Sequence, residues 1–105
     1  MQNTTFYYTF PEYLKYCTKI KSNNIKNVIA WLCMYSEYNT GFISLSAAKR
    51  RELCEQLGIT SSQLSQYLIQ LDYLDVIIGE KGKYQLNPRL FWKGDLTARE
   101  DLIKC

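Results

Sequence analysis

The sequence predicts an α+β fold, mainly helical, with a small antiparallel sheet and a C-terminal helical tail. Three observations lead there. The run from Arg51 to Leu71, Arg-Glu-Leu-Cys-Glu-Gln-Leu-Gly-Ile-Thr-Ser-Ser-Gln-Leu-Ser-Gln-Tyr-Leu-Ile-Gln-Leu, reads as two short helices joined by a turn at Gly58. Beyond it the period changes: Val76-Ile77-Ile78 is β-branched, Lys83-Tyr84-Gln85-Leu86 alternates, and two glycines lie between, at Gly79 and Gly82. That pattern is a β-hairpin. Gly41 to Leu45 supplies a third short strand ahead of the helix pair.

Taken in chain order, the first element is an aromatic arm, Phe6-Tyr7-Tyr8-Thr9-Phe10, which leads through Pro11 into a short helical segment. Leu14, Cys17 and Ile20 share one face of it, and Lys15, Lys19 and Lys21 make the rest positive against Glu12. Ser22-Asn23-Asn24 breaks the pattern and caps the next helix. From Ile25 to about Tyr38, the residues Ile25, Val28, Ile29, Leu32, Cys33 and Tyr35 recur at helical spacing and predict a long core helix. Trp31 falls off that stripe and is expected to cover the N-terminal arm, or else to face a partner. Asn39-Thr40-Gly41 closes the helix by turn chemistry.

The helix pair needs a small residue at the crossing, a turn residue that tolerates positive φ, and apolar residues that lock the two helices together. Cys54, Gly58 and the set Leu53, Leu57, Ile59, Leu64, Leu68 and Leu71 fill those roles. Thr60 followed by Gln63 is a capping-box start for the second helix. After the hairpin, Asn87-Pro88 opens a turn, and Leu90, Phe91 and Trp92 are expected to dock on the core and hold the hairpin strand in register. Asp75 reads as a turn residue. In the tail, Thr97 and Glu100 form a second capping box, starting about two turns of helix that carry Leu102 and Ile103. Two turns are not stable alone, so the tail must pack on its own domain, pack on a second copy, or fray. Helix, strand, helix, helix, hairpin is the order of a winged helix-turn-helix; the plainer alternative for the helix pair is an αα-hairpin of a bundle. The reading is one domain over 1–105: arm and short helix at 1–23, winged helix-turn-helix at 24–86, and a C-terminal extension at 87–105.

With 105 residues, 47% of them hydrophobic, the chain can bury a core without staples. A net charge of +3 permits nucleic-acid binding without demanding it. No apolar run approaches the roughly 20 residues of a membrane span, and the N-terminus lacks the charged and apolar regions of a signal peptide. A cytoplasmic protein with no membrane partner is expected. There is no histidine, and a zinc site would have to gather Cys17, Cys33, Cys54 and Cys105 from distant segments. Cys33 and Cys54 are expected inside as small apolar residues and Cys105 as an exposed terminal thiol. The acid pairs Glu52 with Glu55 and Asp72 with Asp75 have no histidine, phosphate loop or metal set beside them. No catalysis and no cofactor are expected.

The run Arg51 to Leu71, the Gly-x-Tyr-x-Leu-Asn-Pro-x-Leu-Phe-x-Lys-Gly pattern from Gly82 to Gly94, and the arm and core helix before them resemble the RepL-type plasmid replication proteins of Gram-positive bacteria. The likeness covers most of the chain, and its most specific part is Tyr84-Gln85-Leu86-Asn87-Pro88 with Phe91, Lys93 and Gly94. It implies a winged-helix protein of a mobile element that binds double-stranded DNA at an origin or control region.

On the second helix the residues off the leucine face are Ser61, Ser62, Gln63, Ser65, Gln66 and Gln70, following the capping Thr60. That face is polar and uncharged. It suits modest, A·T-leaning readout by Ser62, Gln66 and Ser65, or is a neutral solvated surface. Grip on phosphates is expected from Lys49, Arg50 and Arg51 and from Lys81 and Lys83 at the hairpin tip, with Arg89 and Lys93 on the same side. The alternative for Lys49 to Arg51 is a charged helix face balanced by Glu52 and Glu55. Few phosphate contacts per domain imply a homodimer on a repeated or palindromic site. The partners expected are therefore double-stranded DNA, a second copy, and host or element-encoded replication proteins. Two other functions fit the same residues: a phage or plasmid repressor, and a protein-interaction module using the arm aromatics or the Phe91-Trp92 region.

Overall fold

A computed structural model describes residues 7–14, 22–80 and 83–104. The expectations for Phe6, Lys15, Cys17, Lys19, Ile20, Lys21, Lys81, Gly82 and Cys105 lie outside the described residues. The elements are β1 (Tyr8–Thr9), a 3-10 turn (Pro11–Tyr13), α1 (Asn23–Tyr35), β2 (Phe42–Ser44), α2 (Ala47–Leu57), α3 (Ser61–Tyr73), β3 (Ile77–Glu80), β4 (Lys83–Leu86), β5 (Phe91–Trp92) and α4 (Leu96–Lys104). The mixed α+β class is as the sequence predicts. Among the described residues no helix is long and apolar enough to cross a membrane.

Strands β2, β4 and β3 form an antiparallel sheet in that spatial order, with Phe42 opposite Gln85 and Gln85 opposite Ile78. Side chains alternate across a strand, so Ile43, Ile77 and Leu86 face inward, where all three are buried, while Phe42 and Ile78 stand on the outer face. The inner face closes over Val28 and Leu32 of α1, Leu53 of α2 and Leu64, Leu68 and Leu71 of α3, in one continuous core.

Helix α1 begins as expected, with Ser22 accepting from the Ile25 amide. It ends at Tyr35, three residues short of the expected Tyr38. The reason is Ser36, whose backbone is extended and whose buried hydroxyl donates to the Cys33 carbonyl, competing with the helical ladder. Trp31 does not cover the arm. It is 4% exposed, stacks on Tyr35, and its Nε1–H donates to Gln56 Oε1 of α2 at 2.8 Å. Tyr35, expected in the core stripe, is 40% exposed instead, because α1 packs against α2 on the flank that carries Trp31.

The arm and the C-terminal extension meet. Tyr8 and Thr9 pair with Trp92 and Phe91 in a second, two-stranded sheet, and Tyr7 and Tyr13 pack on the Phe91 ring. Leu90, Phe91 and Trp92 are buried as expected, but the strand that Phe91 and Trp92 register is β1, not the hairpin. Helix α4 starts at Leu96, one residue before Thr97, so the predicted capping threonine lies inside its first turn. No residue of α4 is buried. Arg99 holds it to its own domain, with the guanidinium 3.6 Å from the Phe10 ring centroid and Nε donating to the Pro88 carbonyl.

Candidate nucleic-acid interface

The corner between α2 and α3 is built by local rules that agree with one another. Ser46 caps α2 by accepting from the Lys49 amide, and Gly58 ends it in the left-handed region at φ 66°. The Gly58 and Ile59 amides both donate to the Cys54 carbonyl, turning the chain into α3. Thr60 then accepts from the Gln63 amide at 3.1 Å while Gln63 Oε1 accepts from the Thr60 amide at 2.9 Å, the reciprocal capping box the sequence predicts. Leu64, Leu68 and Leu71 are buried to 3% exposure or less and lock α3 in place, with Ile59 and half-buried Cys54 at the crossing. Thr60→Ala removes one half of the box and is expected to lower stability by about 1 kcal/mol, read as a shift of about 4–8 °C in thermal midpoint.

Along α3 the candidate readers separate into two groups. Ser61, Ser62, Ser65, Gln66 and Gln70 are exposed. Gln63 is exposed as well, but its amide oxygen and the Thr60 hydroxyl are committed to the cap. Ser62, Gln66 and Gln70 have no side-chain hydrogen-bond partner among the described residues.

The cations separate too. Arg51 is exposed and borders a cleft of about 400 Å3 between α2 and the start of α3, with Arg50, Cys54 and Ser61. Arg50 is half-buried; its Nη2 donates to Ser65 Oγ at 2.8 Å and reaches the Ser61 carbonyl at 3.5 Å. Lys49 pairs with Glu52 at 3.8 Å and lies 4.8 Å over the Tyr35 ring. Lys83 is exposed on the hairpin. Arg89 and Lys93 both follow β4, beyond the end of the hairpin away from its tip. Arg89 is exposed there, whereas the Lys93 ammonium donates to the Met34 carbonyl at the end of α1. Among the described residues Arg51, Lys83 and Arg89 thus have no salt bridge or side-chain hydrogen bond, whereas Lys49, Arg50 and Lys93 are tied.

Comparison with protein-family models, curated proteins and solved structures finds no match to this chain.

Two residues on that surface escaped the sequence reading. Ile69 is 70% and Tyr73 84% exposed. With Ser62 and Gln66 they follow the i, i+4, i+7, i+11 spacing of one helical stripe, so the outward face of α3 is part polar and part apolar. The signal was available: once Leu64, Leu68 and Leu71 are assigned inward, Ile69 and Tyr73 fall opposite them.

Proposed function

We propose that the chain is a winged-helix protein that binds double-stranded DNA, with α3 in the major groove and the β3–β4 hairpin as the wing. The observation that carries this reading is the division of α3 into a locked apolar side and an outward side on which Ser62, Gln66 and Gln70 are exposed and uncommitted. Glutamine can pair with both N6 and N7 of adenine, and serine accepts either edge, so the readout leans to A·T. Grip falls to Arg51 and Lys83, with Lys49 tethered by Glu52 and Lys81 two residues before Lys83 in sequence. Affinity for duplex DNA comes largely from phosphate contacts, and a domain with so few cations needs two copies on a repeated or palindromic site.

On the resemblance to RepL-type proteins read from the sequence, we further propose a role in plasmid replication or its control in the cytoplasm, with replication proteins of the host or the element as further partners. A phage or plasmid repressor would make the same contacts. Footprinting separates the two: protection over an origin with local strand opening identifies an initiator, and protection over a promoter identifies a repressor.

Titration of fluorescent duplex at several salt concentrations tests the binding itself. The logarithm of affinity should fall linearly with the logarithm of salt, by about 0.9 for each phosphate contacted. Changing Arg51 and Lys83 together to Gln is expected to weaken binding alike on all sequences and to flatten that slope by about 2. Absence of binding at low salt removes the DNA reading. In that case the protein-interaction reading takes over, but not through Phe91 and Trp92, which are buried. It is favoured by the outer face of the three-stranded sheet, where Phe42, Ser44, Ile78, Lys83 and Gln85 line a hollow of about 360 Å3.

A further inference from the structure

We infer that Arg50 is a positioning residue for the reading face of α3: by donating to Ser65 it sets the serine hydroxyl as an outward hydrogen-bond donor, so that this position selects bases presenting an acceptor in the major groove. The inference rests on α3 being the DNA-reading element.

The argument begins with the donor inventory. Arginine has only donors, whereas a serine hydroxyl has one O–H donor and two lone pairs. In the contact of 2.8 Å between Arg50 Nη2 and Ser65 Oγ, the serine is therefore the acceptor. Its proton must point elsewhere. A serine within a helix can turn its proton back to the carbonyl three or four residues earlier; for Ser65 the one four back is that of Ser61. Arg50 Nη2 approaches that same carbonyl at 3.5 Å, alongside the helical amide that already uses it. The guanidinium thus occupies one position on the Ser65 oxygen and crowds the Ser61 outlet. Ser65 is exposed and has no other partner among the described residues, so the O–H is left to face outward.

A half-buried arginine tied in this way is held back from phosphate, which separates it from its neighbour Arg51. In the major groove, guanine N7 and O6, adenine N7 and thymine O4 are acceptors, while cytosine presents the N4 donor. A serine fixed as a donor favours the first set and disfavours cytosine. Without Arg50 the hydroxyl can turn inward to Ser61 or present a lone pair, and the preference is lost although no DNA contact has been removed.

The test compares the full-length wild-type chain with Arg50→Met, Ser65→Ala and the double variant, selecting sites from randomised duplex and then titrating single-base variants of the selected site. Methionine keeps much of the aliphatic stem and removes the donors. The wild type is expected to discriminate against cytosine at one position by roughly 5- to 100-fold. Arg50→Met and Ser65→Ala should each abolish most of that discrimination, the double variant should lose no more than either alone, and the salt slope of Arg50→Met should match that of the wild type. A uniform loss of affinity on all sequences, with a slope flattened by about 0.9 and the base preference intact, makes Arg50 a phosphate contact and overturns the inference. Base preference indifferent to both substitutions overturns it while leaving DNA binding in place. A wild type that binds no duplex at low salt removes the inference together with the function on which it rests.

Discussion

Gly94→Ala is expected to destabilise the protein by roughly 3–5 kcal/mol, a large fraction of the total stability of a domain this size. Gly94 has φ 139°, a conformation that L side chains rarely adopt, and a Cβ placed there would lie 2.1 Å from Asn39 Oδ1 and 2.7 Å from the Asn39 backbone nitrogen. The overlap with backbone is what makes the change severe. Asn39 is itself held at positive φ, its amide donates to the Lys93 carbonyl, and its side chain accepts from the Asp95 amide at 2.6 Å. One step further along, Trp92 Nε1–H donates to the Asp95 carbonyl. Any shift that admits a methyl group at Gly94 disturbs the closure that brings the C-terminal extension against the end of α1. Gly58→Ala provides the control, since φ there is also positive but among the described residues nothing lies within 4 Å of the added Cβ. It should cost only about 1 kcal/mol. Urea denaturation of the two variants side by side decides the matter: equal losses would show that backbone conformation alone, not the contact with Asn39, sets the requirement at Gly94.

The α2–α3 corner was legible in the sequence because everything that makes it is local. A left-handed glycine, a threonine and glutamine three apart, and leucines at helical spacing each act within one or two turns, and all agree. The strands of the three-stranded sheet were legible for the same reason, through alternation and the placement of glycines, while the pairing of β2 with β4 followed only from the expected element order. What could not be read were contacts between segments far apart in the chain. The pairing of Tyr8–Thr9 with Phe91–Trp92 joins residues near the two ends, and two-residue strands leave no periodic trace. Trp31 was misplaced because a single stripe presumes one packing partner, whereas α1 is covered by the core on one side and by Gln56 of α2 on another.

The candidate site shows the same limit more sharply. Composition identifies Lys49, Arg50, Arg51, Arg89 and Lys93 as equal cations, but hydrogen bonding does not treat them equally. Arg50 is drawn to Ser65, Lys93 to Met34 and Lys49 to Glu52 and Tyr35, while Arg51 and Arg89 remain exposed. Net charge counts cations; the number of phosphates a surface can neutralise depends on which of them are unpaired and on one side.

Alkaline pH is expected to destabilise the protein through Cys33, and replacing that residue is expected to remove much of the effect. Cys33 lies fully buried in the core, and burial pushes its thiol up to about 12, against the weaker opposing pull of the Lys93 ammonium. Tyr7 is raised in the same direction, by burial first and by Cys33 second. In the unfolded chain a cysteine ionises near pH 9. Below that value both states hold the proton and the stabilisation is fully present. Between it and about 12 the unfolded chain releases a proton that the folded protein retains, so stability falls by about 1.4 kcal/mol per pH unit, toward a total of about 4 kcal/mol. Cys33→Ala leaves a small void and should be less stable than the wild type at pH 7 by about 1–2 kcal/mol. Because the alanine variant lacks this titration, the two stability curves should converge above pH 9 and cross near pH 10. Urea denaturation under reducing conditions from pH 7 to 10.5 measures the crossing. Curves that stay parallel over that range would mean that the thiol ionises in the folded core as easily as in the unfolded chain, and that the interior around Cys33 is open to water.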